Sequence, residues 1–119
     1  MRNDKENLIV SKTLLFSIQI IKFSEILETN RKFVIAKQLL RAGTSIGANV
    51  WEAQNSESKA DFIHKIKIAA KEADEVTYWL KLCELSESYP QPEQIIIEEL
   101  TQIIRILSRI ISSSKMDKK

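Results

Sequence analysis

Tight turns and hairpins draw on glycine and proline, and this chain of 119 residues has only two of each, with Pro90 and Pro92 set together. Strands need turn material every few residues, so so little punctuation leaves long helices as the economical way to fold. Composition agrees, since 44% hydrophobic and 29% charged residues are ordinary for one globular domain over residues 1–119.

Four helices can be marked out. From about Glu6 to Glu28 apolar residues lie so densely that they cover most of the helix circumference, leaving only a strip through Thr13, Ser17, Ser24 and Glu28 polar. A helix in a monomeric bundle needs an apolar stripe of only about 100° or somewhat more. The first helix is therefore expected to bury a second face against another copy, with Leu14, Phe16, Ile20 and Phe23, joined by Trp51, as interface candidates. Asn30 is read as the N-cap of a second helix from about Arg31 to Gln54, and Ser58 with Asp61 forms a variant capping box for a third, running to about Glu87. Tyr89-Pro90-Gln91-Pro92 breaks the chain, and a fourth helix follows from about Pro92 to Ser114. Short connections make neighbours antiparallel, which gives an all-α, antiparallel up-down-up-down four-helix bundle.

The second helix carries a costly stretch, KQLLRAGTSIGANVWEA from Lys37 to Ala53. A glycine inside a helix costs about 0.8–1.0 kcal/mol relative to alanine, so Gly43 and Gly47, on one face, mark a close approach of another backbone. If the second and third helices fold about Ser56, Gly43 lies level with Ala69 and Gly47 with Lys65. The same register sets Arg41 within a turn of Glu72 and Glu75, and a partly buried interhelical ion pair, fixing register more than adding stability, is expected there. Asn49, Thr44 and Ser45 either hydrogen-bond across a helix interface, fixing register, or line a channel or ligand surface.

No reaction is named by these residues. His64 has no second histidine or cysteine beside it for a metal site, and Cys83 among leucines reads as a buried apolar residue. Glu72 and Glu75 lack the Glu-x-x-His partner of di-iron bundles, so no cofactor or metal and no enzymatic activity are expected. A lone cysteine, no secretory signal and no apolar run of about 18 residues point to a reduced cytoplasmic protein away from membranes. The net charge of +2 permits nucleic-acid binding without indicating it. The basic candidates are Arg31, Lys32, Lys37 and Arg41 on the second helix, Lys59, Lys65, Lys67 and Lys71 on the third, and a tail with Lys115, Lys118 and Lys119. Repeated in an oligomer, weak basic faces gain avidity, while Trp51, Tyr78 and Trp79 are candidates for stacking on bases or for packing.

The run QLLRAGTSIGANVWEA followed by SKADFIHKIKIAAKEADEVTYWLKL resembles the bacterial four-helix-bundle family typified by the 23S rRNA intervening-sequence proteins. The resemblance rests on Arg41, Gly43 to Asn49, Glu52, Ala53, Ser58, Asp61, Phe62, Lys71 to Ala73, Glu75 and Tyr78 to Leu80, and spans nearly the whole chain. Ala42 stands where the family usually has serine, and Trp51 where a polar residue is common. The resemblance implies a homopentamer with a central channel. The family is also similar to the accessory variability determinant proteins of diversity-generating retroelements, basic pentamers that bind nucleic acid and a reverse transcriptase. Expected partners are thus further copies of this chain, RNA or DNA, and a nucleic-acid-processing protein. The competing reading is an assembly with no nucleic-acid role.

Overall fold

The computed structural model describes residues 4–116, with side chains from 8 to 115. Four helices follow one another: α1 (Asp4–Thr29), α2 (Phe33–Ala53), α3 (Lys59–Leu85) and α4 (Gln94–Met116). Each packs on its neighbours in sequence and α1 closes the square against α4, in a body of 51 × 22 × 21 Å. The diagonal pairs do not meet among the described residues. Successive helices run in opposite directions, as Arg41 meeting Glu72 while Glu52 meets Lys65 shows for α2 and α3. The four-helix bundle read from the connections is the fold.

Inside, α2 and α3 meet through small residues, with Ala36, Ala42 and Ala53 on one helix and Ala69 and Ala73 on the other fully buried. Larger side chains fill the rest of the core, among them Phe16, Ile20 and Leu27 of α1 and Ile103 and Leu107 of α4. Alanine brings two helix axes closer than leucine does, so α2 packs tightly while α4 is held more loosely.

The α1 helix faces the opposite way from what its polar strip suggests. Thr13 and Ser24 are buried at 1% and 4% exposure, while Leu14, Leu15 and Ile18 stand out at 50%, 62% and 44%. The buried hydroxyl of Thr13 donates to the Ile9 carbonyl at 2.8 Å and the part-buried hydroxyl of Ser17 to Thr13 at 2.9 Å, whereas the buried Ser24 hydroxyl has no partner among the described residues. Gly43 and Gly47 close the α1–α2 seam. A Cβ on Gly47 would lie 3.1 Å from the Thr13 carbonyl oxygen, and one on Gly43 would lie 2.6 Å from Ile20 Cγ2. The glycines thus serve the approach of α1, and the expected pairing with Ala69 and Lys65 of α3 is corrected.

Two further expectations change. Asn30 does not cap α2: its amide donates back to Ile26 at 2.8 Å, and Lys32 is the N-cap residue with no side-chain bond. Arg31 takes a left-handed conformation, φ 64°, and the amides of Lys32 and Arg31 bond the carbonyls of Leu27 and Glu28, both at 2.8 Å. This is the Schellman closure of α1, with arginine at the position glycine usually holds. Phe16, Ile20 and Phe23 are at most 3% exposed inside their own chain, so they have no surface left for a second copy. They fill the core because they share the face of α1 that turns toward the centre of the bundle.

At the α3 start the sequence reading holds, as Ser58 accepts from the Asp61 amide at 3.0 Å. At its end Gln91 donates to the Cys83 carbonyl at 2.8 Å, which caps α3 from the linker.

Candidate functional site

Three features of the surface bear on function. The first is an apolar face across α1 and α2. Leu14, Ile18 and Ile21 from α1 and Phe33, Leu40 and Trp51 from α2 are all between 38% and 58% exposed. At its Leu14 and Trp51 end lies a groove of about 240 Å³, lined by Val10, Leu14, Ser17, Thr44, Gly47, Ala48 and Trp51. The groove exists because both helices place small residues at their seam. Its hydroxyls are turned to their own helices, Thr44 donating to Leu40 at 2.8 Å and Ser17 to Thr13, which leaves the lining apolar. Leu14 and Trp51 keep their place on this face as interface candidates.

The second feature is the bridge between α2 and α3. Arg41 reaches Glu72 at 3.3 Å and also bonds Glu75, while the Trp79 indole donates to Glu75 at 2.9 Å. The indole and then the guanidinium hold the Glu75 carboxyl below its ordinary range, and the Glu75 bond in turn raises Arg41. Arg41, Glu72 and Glu75 therefore act together as a register lock. Asn49 does not join it: its amide bonds the Ser45 carbonyl of its own helix at 2.8 Å, as Ser45 bonds Arg41 at 2.6 Å. A helix carbonyl four residues back is always within reach of such a side chain, and that local bond is made here in place of one across the interface.

The third feature is the distribution of cations. On α2 the expected basic row is broken up, since Arg31 sits in the turn, Lys32 lies 4.8 Å above the Tyr89 ring, and Arg41 is held by its acids. Arg31 and Lys37 are the two of the four that are exposed with no ion pair among the described residues. On α3, Lys65 is paired with Glu52 at 3.1 Å, and Lys59 is exposed at the first residue of the helix. Lys67 and Lys71, one turn apart, are exposed and unpaired among the described residues. Lys118 and Lys119 lie outside the described residues. Reading the sequence missed Arg105 and Arg109, exposed on α4 beside Lys12 of α1. Their spacing of one turn on the polar side of α4 was the available signal.

Groups suited to catalysis are scattered. Cys83 is fully buried, and burial, with Glu84 nearby, pushes its thiol up and away from the reactive thiolate. His64 is exposed on α3, and no three of His, Cys, Asp and Glu come together in a metal-binding group among the described residues. No helix among them is long and apolar enough to cross a membrane.

With this geometry in place, the comparison with known families is decisive. The profile of the 23S rRNA-intervening sequence proteins matches residues 5–112. The chain belongs to this family. The same fold is seen in a crystal structure of a protein of unknown function from the S23 ribosomal protein family of Bacteroides thetaiotaomicron. That protein is 42% identical over 91% of this chain and 98% of its own, with a TM-score of 0.85. Among curated proteins none matches. Family membership thus accounts for the bundle, and the relative carries the same fold without a stated function.

Proposed function

We propose that this protein is a non-catalytic scaffold that assembles with copies of itself, as a pentamer, through the apolar face across α1 and α2. The observation that carries the reading is the set of six large apolar side chains on that face, each at least 38% exposed in the single chain. Scattered apolar residues are normal on a surface, but a contiguous patch of this kind marks an interface. Five as the number of copies rests on the family resemblance, and a cytoplasmic setting on the lone buried cysteine.

A second reading adds nucleic acid to the scaffold. Lys37, Lys67 and Lys71 are exposed and form no ion pair among the described residues, and the family description ties its members to the intervening sequences of 23S rRNA. A few cations per chain, repeated around an assembly, bind phosphates with avidity and with strong salt dependence. A nucleic-acid-processing protein is the corresponding protein partner.

Light scattering behind size exclusion, at low and high salt, with and without a mixed RNA and DNA pool, tests both. A pentamer mass supports the scaffold and a monomer overturns it. Nucleic acid that co-elutes at low salt, leaves at high salt, and is lost on changing Lys37, Lys67 and Lys71 to Glu supports the second reading. An assembly that ignores nucleic acid overturns that reading alone.

A further inference from the structure

The α4 flank of α1 carries a second groove, of about 290 Å³, lined by Leu8, Lys12, Gln102, Arg105, Ile106 and Arg109. Lys12 is already committed: it donates to Glu99 at 3.0 Å and to Gln102 at 2.6 Å. The guanidinium groups of Arg105 and Arg109 have no carboxylate partner among the described residues. Beside them Leu8 is 51% exposed, and Leu15, two turns further along the same flank of α1, is 62% exposed. Two cations without a carboxylate partner among the described residues thus border a groove whose apolar lining is Leu8 and Ile106, with Leu15 exposed further along the same flank.

Helix-dipole compensation does not account for this pair, because that effect is confined to the last turn and α4 continues to Met116, more than a turn beyond Arg109. A single-stranded nucleic acid would look for aromatic platforms on which its bases stack. None of the lining residues is aromatic. A guanidinium presents a planar fork that matches a carboxylate, and an apolar trough between two helices matches the apolar stripe of a third.

We propose that the α1–α4 groove docks an acidic amphipathic helix of a partner protein, its apolar stripe lying on Leu8, Ile106 and Leu15 and its carboxylates meeting Arg105 and Arg109. The proposal rests on the scaffold reading in one respect: it requires that the contacts between copies leave this groove open.

The test is fluorescence anisotropy on the full chain with labelled synthetic peptides of about four helical turns. One peptide has a leucine stripe flanked by Glu, one has the same composition scrambled, and one has Lys for Glu; a labelled single-stranded RNA is the fourth probe. The Glu-flanked stripe is expected to bind about tenfold tighter or more than each of the others. Arg105→Glu with Arg109→Glu is expected to remove that binding, and Leu8→Ser to weaken it about tenfold without changing charge. All three side chains are exposed, so circular dichroism and mass by light scattering should stay as in the parent. Equal binding of the scrambled peptide or of RNA, binding untouched by these substitutions, or no peptide binding overturns the proposal. So does a change of oligomer mass in the arginine variant, which would make the groove a contact between copies. A parent chain that is monomeric and still binds the peptide overturns the assembly reading and leaves this one standing.

Discussion

Gly47 is placed so that the carbon it lacks would press on a carbonyl. A Cβ there lies 3.1 Å from both the Thr13 carbonyl oxygen and Ser17 Oγ, and that carbonyl already accepts from Ser17. Gly43 is tighter, with Ile20 Cγ2 and Cγ1 at 2.6 and 2.9 Å, and Ile20 is fully buried with nowhere to turn. Alanine gains about 0.8–1.0 kcal/mol of helix propensity at either site, but overpacking costs about 1–3 kcal/mol. Gly43→Ala is therefore expected to destabilise the fold by about 1–2 kcal/mol in urea melts, and Gly47→Ala by less. At the register lock, Glu75 is held below its ordinary range by Trp79 and then Arg41. A lowered carboxyl stabilises the fold above that range and loses its contribution as pH falls through the lowered value. Arg41 is 48% exposed and Glu75 35%, so the contribution is about 1 kcal/mol or less. The melting temperature of Glu75→Gln should lie below the parent near neutral pH, and the gap should close in acid.

At the scale of helices, local signals decide ends well when they need only neighbouring residues. Ser58 with Asp61 was legible for that reason: a hydroxyl three residues before an amide needs no tertiary partner to cap it. The end of α1 was not legible, because a non-glycine residue in the left-handed region answers to where α2 must go. Arg31 at φ 64° bears a cost of about 1–2 kcal/mol that glycine would not. Glycine also gives the unfolded chain more freedom, worth about 0.4–1 kcal/mol. Arg31→Gly is expected to raise stability by about 0.5–1 kcal/mol, and Arg31→Val to lower it, by thermal melts of the three proteins.

For the whole molecule, the proposed assembly turns on the exposed apolar face of α1 and α2. Leu14→Gln combined with Trp51→Ser removes two half-exposed apolar groups and touches none of the buried core. Mass by light scattering is expected to fall to that of one chain, and the melting temperature to lose its dependence on protein concentration. An unchanged mass would place the interface elsewhere. The sequence by itself determined the helical class, the number of helices, their antiparallel order and the partners of Arg41, since each follows from scarce turn residues, short connections and level register. Tertiary structure alone decided which way α1 faces. Periodicity assigns an inside only where apolar and polar sides contrast, and α1 is apolar on nearly every side. Burial of one face or another is then almost equal in hydrophobic terms, and the choice passes to shape. Thr13 and Ser17 fit against Gly47 where leucine would not, and Ile20 packs onto Gly43, so this face of α1, small polar residues included, turns inward. Leu14, Leu15 and Ile18 are left outside.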